Sequence, residues 1–194
     1  MSCLPGCEAI CQVDAPLSEH TWYKLGGRAR FLLTPRDEAE LATVLECCRR
    51  QGVSWRVLGR GANVLVRDTG VDGAVIKLVG PAWELVLWDG AVVTAAAGAD
   101  FPRLAKQSVE RGSGGLDGLA GIPGSVGGIV RMNAGGKYGN ISQVTRAVRV
   151  MDAGGRIETW TPERIGFGYR HTEINNVIVL DATFVLQPGD RDSL

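Results

Sequence analysis

Apolar positions recur along this chain with two different periods, and stretches of the two alternate. Leu41, Val44, Leu45 and Cys48 fall at i, i+3, i+4 and i+7, which predicts a helix with one buried stripe. Thr34 reads as its cap, Pro35 as its first turn and Gly52 as its stop, with Asp37 and Glu38 complementing the dipole. Phe101, Leu104, Ala105 and Ser108 repeat the pattern behind Asp100 as cap, with Gly112 at the far end. Short apolar runs predict strands at Arg28–Leu33, Trp55–Leu58, Val64–Val66 and Ala74–Val79, so residues 20–80 read as a small α/β unit. A second unit opens near Pro81. Trp83–Trp88 and Ala91–Ala97 flank Asp89-Gly90, a two-residue hairpin signal. Thr145–Asp152 and Arg156–Trp160 form another hairpin around Ala153-Gly154-Gly155, Thr161-Pro162-Glu163 opens a helical turn, and Val177–Leu186 is a last strand. Residues 1–19 read as an N-terminal extension, 81–190 as the second unit and 191–194 as a tail.

Composition narrows the function classes. The 194 residues are 45% apolar and 22% charged, ordinary for a globular protein with a real core. Lys+Arg and Asp+Glu both number 21, so no net field points to nucleic acid or to an anionic membrane. No apolar run approaches the length of a membrane span. The start, MSCLPGCEAICQ, lacks a basic region and a long apolar one, so it does not read as a secretory signal. Five cysteines with no export signal point to a reducing cytoplasm. Cys3, Cys7 and Cys11 are spaced by four, which places them on one helical face. Zinc would ask for paired Cys-x-x-Cys knuckles and a fourth ligand, so no metal site is expected. Cys47 and Cys48 read as packing residues on the first helix.

Between Gly112 and Gly139 the chain reads GSGGLDGLAGIPGSVGGIVRMNAGGKYG, and eleven of these 28 residues are glycine. Glycine loses more backbone freedom on folding than any other residue, so this density needs a use: left-handed turns, close backbone approach, or amides laid against phosphate. Leu116, Leu119, Ile122, Val126, Ile129, Val130 and Met132 run through the segment, which argues for an ordered, partly buried piece and against a polar linker. Within it, Gly121-Ile122-Pro123-Gly124-Ser125-Val126-Gly127-Gly128 sets a proline of fixed dihedral beside permissive glycines, an arrangement that lets amides converge on an anion. A second loop, Gly59-Arg60-Gly61-Ala62-Asn63, lies between strands and lacks the endings of a P-loop and of a dinucleotide fingerprint. By itself it reads equally as a phosphate loop or a plain turn. Two such loops without a lysine suggest a pyrophosphate held by main chain.

Four blocks in order carry a resemblance: TWYKLGG (Thr21–Gly27), LGRGANVLV (Leu58–Val66), GLAGIPGSVGGIVRMN (Gly118–Asn133) and GFGYR (Gly166–Arg170). The chain from about His20 to Asp190 resembles the FAD-binding domain of the UDP-N-acetylenolpyruvoylglucosamine reductase family, also called UDP-N-acetylmuramate dehydrogenase, of bacterial cell-wall synthesis. That resemblance implies an α+β fold, the two-subdomain FAD-binding architecture of the vanillyl-alcohol oxidase (PCMH) type, with FAD in the cleft between the subdomains. It implies cofactor contacts from Gly59, Arg60, Gly61, Ala62, Asn63 and Val64, and from Gly121, Ile122, Pro123, Gly124, Ser125, Gly127, Gly128, Asn133 and Gly135. The family's reaction uses NADPH to reduce FAD and delivers hydride to the enolpyruvyl double bond of a UDP-sugar.

Arg170 matches the arginine that the family sets against the substrate carboxylate, with Tyr169 beside it as a substrate contact or a packing residue. Hydride addition to an enol ether conjugated with a carboxylate builds charge there, and a fixed guanidinium stabilises that charge most in the transition state. Without the resemblance Arg170 would read as a surface or ion-pairing residue. His171 and Thr172 replace the family's usual Asp-Ser, and Gly135–Gly139 is one residue longer than the usual Gly-Ala-Tyr-Gly. The family's proton-donor serine, in a Gly-Ser-Phe-Phe-like block, and its late glutamate have no counterpart before Leu194, and Ser193 lacks that context. The C-terminal substrate domain is therefore expected to be absent, or supplied by another chain. Two rivals stand beside this reading: a flavin oxidoreductase of the same superfamily on another substrate, and a non-catalytic flavin-binding module. Covalent flavin would need a cofactor-loop histidine, and neither His20 nor His171 lies in one.

Overall fold

A computed structural model describes residues 2–189; Asp190, Ser193 and the tail 191–194 lie outside the described residues. The chain begins with β1 (Cys11–Pro16) and β2 (Arg28–Leu33), continues through helix α1 (Glu38–Arg50), and returns in β3 (Trp55–Val57) and β4 (Val71–Ile76). These strands form one sheet in the order β1-β2-β4-β3, antiparallel at β1–β2 and parallel elsewhere. In β2, Phe31 and Leu33 point into the main core while Leu32 points into a smaller cluster on the opposite face. Ala74 and Ile76 of β4 divide from Val75 in the same way. Burial on both faces is why these parallel strands read as unbroken apolar runs.

The second unit adds β5 (Val86–Asp89), β6 (Val92–Ala96), α2 (Phe101–Glu110), β7 (Ser113–Gly114), α3 (Val126–Arg131), β8 (Gly135–Gly136) and β9 (Gly139–Asn140). It closes with β10 (Thr145–Asp152), β11 (Ile157–Trp160), α4 (Pro162–Ile165), β12 (Val177–Val185) and β13 (Gln187–Pro188). The antiparallel sheet runs β11-β10-β12-β6-β5, while β7–β13 and β8–β9 form two-stranded clips. Both apolar stripes read from periodicity are buried: Leu41, Val44, Leu45 and Cys48 on α1, and Phe101, Leu104, Ala105 and Ser108 on α2. One continuous set of buried residues joins α1 to both sheets. At that seam Glu38 reaches Arg149 of β10 at 3.1 Å, and the Trp83 indole N–H donates to the Pro35 carbonyl at 2.7 Å.

Several expected elements fall elsewhere. Residues 11–16, expected within an extension, are an edge strand of the first sheet, since alternation over Gln12 to Ala15 lets one face cover β2. Cys3, Cys7 and Cys11 therefore share no helix face. Cys11 opens the strand, and it is joined to Cys3 in a disulfide. Val64–Val66 is no strand, and Val64 and Leu65 are exposed. The hairpin turn at β5–β6 is Gly90-Ala91, one residue later than expected, because Asp89 pairs with Val92. The glycine-rich segment contains α3, which its glycine content concealed.

The cap of α1 is Asp37, whose carboxylate accepts from the Glu40 amide at 2.9 Å; Thr34 instead contacts the Ile10 carbonyl at 3.4 Å. Asp37→Ala is expected to cost about 1 kcal/mol, the scale of a lost cap, and Thr34→Ala distinctly less. Urea unfolding of the two variants checks the assignment, and the reverse order would refute it.

Candidate functional site

Parallel strands leave their carboxyl ends at one edge of a sheet, where an open α/β layer binds ligands. Leu58 and Gly59 follow β3 there, and Lys77 and Leu78 follow β4. Facing them from the second unit are Ala97 and Gly98, just past β6, and Ser125, the residue before α3. Two cavities open at this junction. One, of about 620 Å³, is lined by Ser54 to Gly59, Ala97, Gly127, Gly128, Arg131 and the 174–179 segment. The other, of about 530 Å³, is lined by His20, Thr21, Trp22, Lys24, Arg60, Lys77 and Glu84. Gly59, Leu78, Gly98 and Ser125 border both, so the two form one cleft between the units.

Two glycines let the walls meet. A Cβ at Gly59 would collide with the Ser125 hydroxyl, and one at Gly98 with the backbone carbonyls of Leu78 and Trp83. The junction is also charged. Arg60 pairs with Asp100 at 2.9 Å, and Asp100 uses its other oxygen to cap α2 through the Arg103 amide.

The two predicted loops do come together, through Gly59 and Ser125. Their amides differ, however. Among the described residues, the amides of Gly59, Arg60, Gly61, Ala62 and Asn63 donate to no backbone carbonyl, so this loop presents free donors. In the other loop Ile122, Val126 and Gly127 already donate to Leu119, Ala99 and Ala97, and Pro123 has no N–H. That leaves Gly121, Gly124, Ser125 and Gly128 as its available donors, of which Ser125 and Gly128 line the cleft. Gly61, Ala62, Asn63 and Val64 border neither cavity, so only Gly59 and Arg60 of this loop reach the cleft.

Asn133, Gly135, Tyr169 and Arg170 line a third cavity, of about 610 Å³, which shares no residue with the cleft. Tyr169 and Arg170 form the tip of a tight turn closed by reciprocal bonds between Gly168 and His171. Arg170 holds a left-handed φ of 53°, a conformation that costs energy for a non-glycine residue. Buried Asn133 secures the turn by donating to the Gly168 carbonyl at 2.8 Å. Thr172, standing where Ser was expected, is buried and donates to the Arg131 carbonyl at 2.8 Å, while His171 contacts Glu173 at 3.0 Å. This turn therefore hangs from the C-terminal end of α3, whose N-terminal end is at the junction.

With this geometry in place, the comparisons are direct. The profile of the FAD binding domain family matches residues 29–161, more than half of the chain. The chain belongs to the FAD binding domain family. Its cleft fits that membership, with a glycine-lined junction and a run of free amides suited to a diphosphate. A UDP-N-acetylenolpyruvoylglucosamine reductase from Heliobacterium modesticaldum is 40% identical over 92% of this chain and 57% of its own length. The crystal structure of the UDP-N-acetylenolpyruvylglucosamine reductase from Thermus caldophilus aligns at TM-score 0.81 and 34% identity, covering 94% of this chain and 65% of that one. The motif resemblance to this reductase group thus extends to overall sequence and structure, and the chain spans about three fifths of the length of the curated relatives it matches. A cholesterol oxidase from Brevibacterium sterolicum shares the fold, with TM-score 0.73 at 15% identity over 97% of this chain and 40% of that one. The two-subdomain flavoprotein fold expected from the motifs is the fold found.

Sequence reasoning missed His20, Lys77, Ala97, Gly98 and Arg131 as cleft residues. Lys77 had a readable signal, since it ends the apolar run of a parallel strand. Among the described residues no group of three His, Cys, Asp or Glu side chains is placed to hold a metal. Cys7 and Cys48 pack as thiols pushed up to about 12 and about 11 by burial, with Cys47 adding to both shifts.

Asp100 separates two contributions at the junction. Asp100→Asn keeps a capping oxygen and loses only a partly exposed ion pair, so it should cost under about 1 kcal/mol. Asp100→Ala loses both and should cost about 1–2 kcal/mol. Equal losses in chemical denaturation would mean that the cap contributes nothing.

Proposed function

We propose that this chain is the FAD-holding part of an NADPH-dependent reductase acting on UDP-N-acetylglucosamine enolpyruvate, with UDP-N-acetylmuramate as product. The observation that carries the reading is the cleft itself, where a loop of free amides meets Ser125 across a glycine junction in a chain of this family. Gly59 and Arg60, with Ser125 and Gly128, would hold the diphosphate, and the walls from Ser54–Leu58 and 174–179 would enclose the remainder. Bound FAD would supply two-electron transfer, taking hydride from NADPH and passing it to the substrate carbon. The chain's own contribution is to bind, to exclude water and to stabilise charge. Arg170 would face the substrate carboxylate, where its guanidinium lowers the energy of the charge that develops as hydride adds. Its strained backbone and its support from Asn133 suit a group whose direction matters more than its local comfort. Tyr169 would flank the sugar nucleotide. The remaining substrate and proton-donating groups would come from sequence matching the other two fifths of the relatives. The cytoplasm is the compartment proposed, and there Cys3 and Cys11 would be held as thiols.

Purified chain should take up FAD and show a flavin spectrum with quenched fluorescence, and NADPH added without oxygen should bleach it. A preparation that takes up no FAD would overturn the reading. Bleaching by NADPH followed by no reoxidation with the enolpyruvyl sugar nucleotide, in protein of the relatives' length, would favour the superfamily rival. In such protein Arg170→Ala should remove about 2–4 kcal/mol of transition-state stabilisation, read from kcat/KM.

A further inference from the structure

The smaller cavity is lined by the cations Lys24, Arg60 and Lys77 and by the acids Glu19 and Glu84, and among the described residues none of the five pairs with another within ion-pair distance. Lys77 lies in its wall, half-buried, with its backbone fixed by the bond from its amide to the Leu33 carbonyl. Its ammonium has one protein contact, His20 Nδ1 at 3.3 Å, and no carboxylate within ion-pair distance among the described residues. Asp100, the acid paired with Arg60 at this junction, is also engaged by the Arg103 amide. Burial, then Arg60 and Lys24, hold Lys77 below the usual lysine range, while burial and Lys77 hold His20 below the usual histidine range. A neutral imidazole accepts at Nδ1, which directs one ammonium hydrogen to His20 and leaves two for a ligand. A half-buried ammonium with no carboxylate in ion-pair contact is unfavourable until an anion arrives.

We infer that Lys77 is the charged contact for the FAD diphosphate, positioned by His20 and set against the free amides of Gly59 and Arg60. Gly59 and Ser125 border the same cavity, so an anion at the junction is within one cavity wall of both donor sets. This inference rests on the cofactor reading above and adds to it a side-chain cation outside both glycine loops. UDP-sugar and NADPH also carry diphosphates, so the shared chemistry is a diphosphate and the test must separate the sources.

FAD affinity is measured by fluorescence quenching at two salt concentrations for the wild-type chain and for Lys77→Met, Lys77→Arg, His20→Leu and His20→Gln, with UDP and NADPH titrated in parallel. Lys77→Met should weaken FAD about ten- to hundredfold and flatten the salt dependence, while Lys77→Arg should retain most of both. His20→Leu should weaken FAD less, and His20→Gln, which keeps an acceptor, should recover it. The melting temperature of FAD-free Lys77→Met should stay level or rise, because an uncompensated charge has gone. Unchanged FAD affinity in Lys77→Met overturns the inference. So does a fall in the melting temperature that accompanies the affinity loss, which marks Lys77 as structural. Loss confined to UDP or NADPH assigns the cation to another ligand and also overturns it. A wild-type chain that binds no FAD removes the cofactor reading first, and the role of Lys77 with it.

Discussion

The close meeting of two backbone edges is the constraint on which the rest of this molecule depends. The carboxyl ends of β3 and β4 face the residues after β6 and before α3, with nothing but main chain at Gly59 and Gly98 between them. Any side chain there would hold the units apart by the width of a methyl group. Because none is present, the free amides of one loop and the turn of the other border a single cleft. The Arg60–Asp100 pair closes the same seam with charge, and Glu38–Arg149 and Trp83–Pro35 close it around α1. Buried residues from both sheets then share one continuous main core, beside the smaller cluster on the far face of the first sheet.

This arrangement divides the chemistry by element type. Strand ends and the short turns after them present donors and cations, all held to rigid sheet backbone. The Arg170 turn hangs instead from the far end of α3 and from Asn133, so its precision depends on a six-residue helix and a single amide bond. The two regions share no cavity. They share α3 and the segment that runs from the Arg170 turn into the 174–179 wall, which link the cleft to the candidate catalytic arginine. A hydrogen-bonded Thr172–Arg131 contact braces the link from the side.

Periodicity was sufficient for the elements that bury one face. The stripes of α1 and α2 and the long strands β10 and β12 appear where their apolar spacing put them, since burial on one face is a local statement about side chains. The four ordered motifs were likewise enough for the flavoprotein fold, because glycine and proline in fixed order record where main chain must turn or touch. Sequence reading failed where partners decided. Cys11–Pro16 became a strand because it pairs along β2, whereas Val64–Val66 pairs with no strand. The glycines of 124–128 hid a helix that tertiary packing stabilises through Ala97 and Ala99.

By itself, then, the sequence determined which helix faces would be buried and which fold would result. Only the tertiary structure decided that Arg60 serves Asp100, that three of the seven amides in the 121–128 loop are already spent inside the protein, and that Lys77, beside the junction, has no carboxylate in ion-pair contact among the described residues. The physical reason is the same in each case. Propensity and periodicity act over a few neighbouring residues, whereas the partner of a charge or an amide is set by segments tens of residues away in the chain.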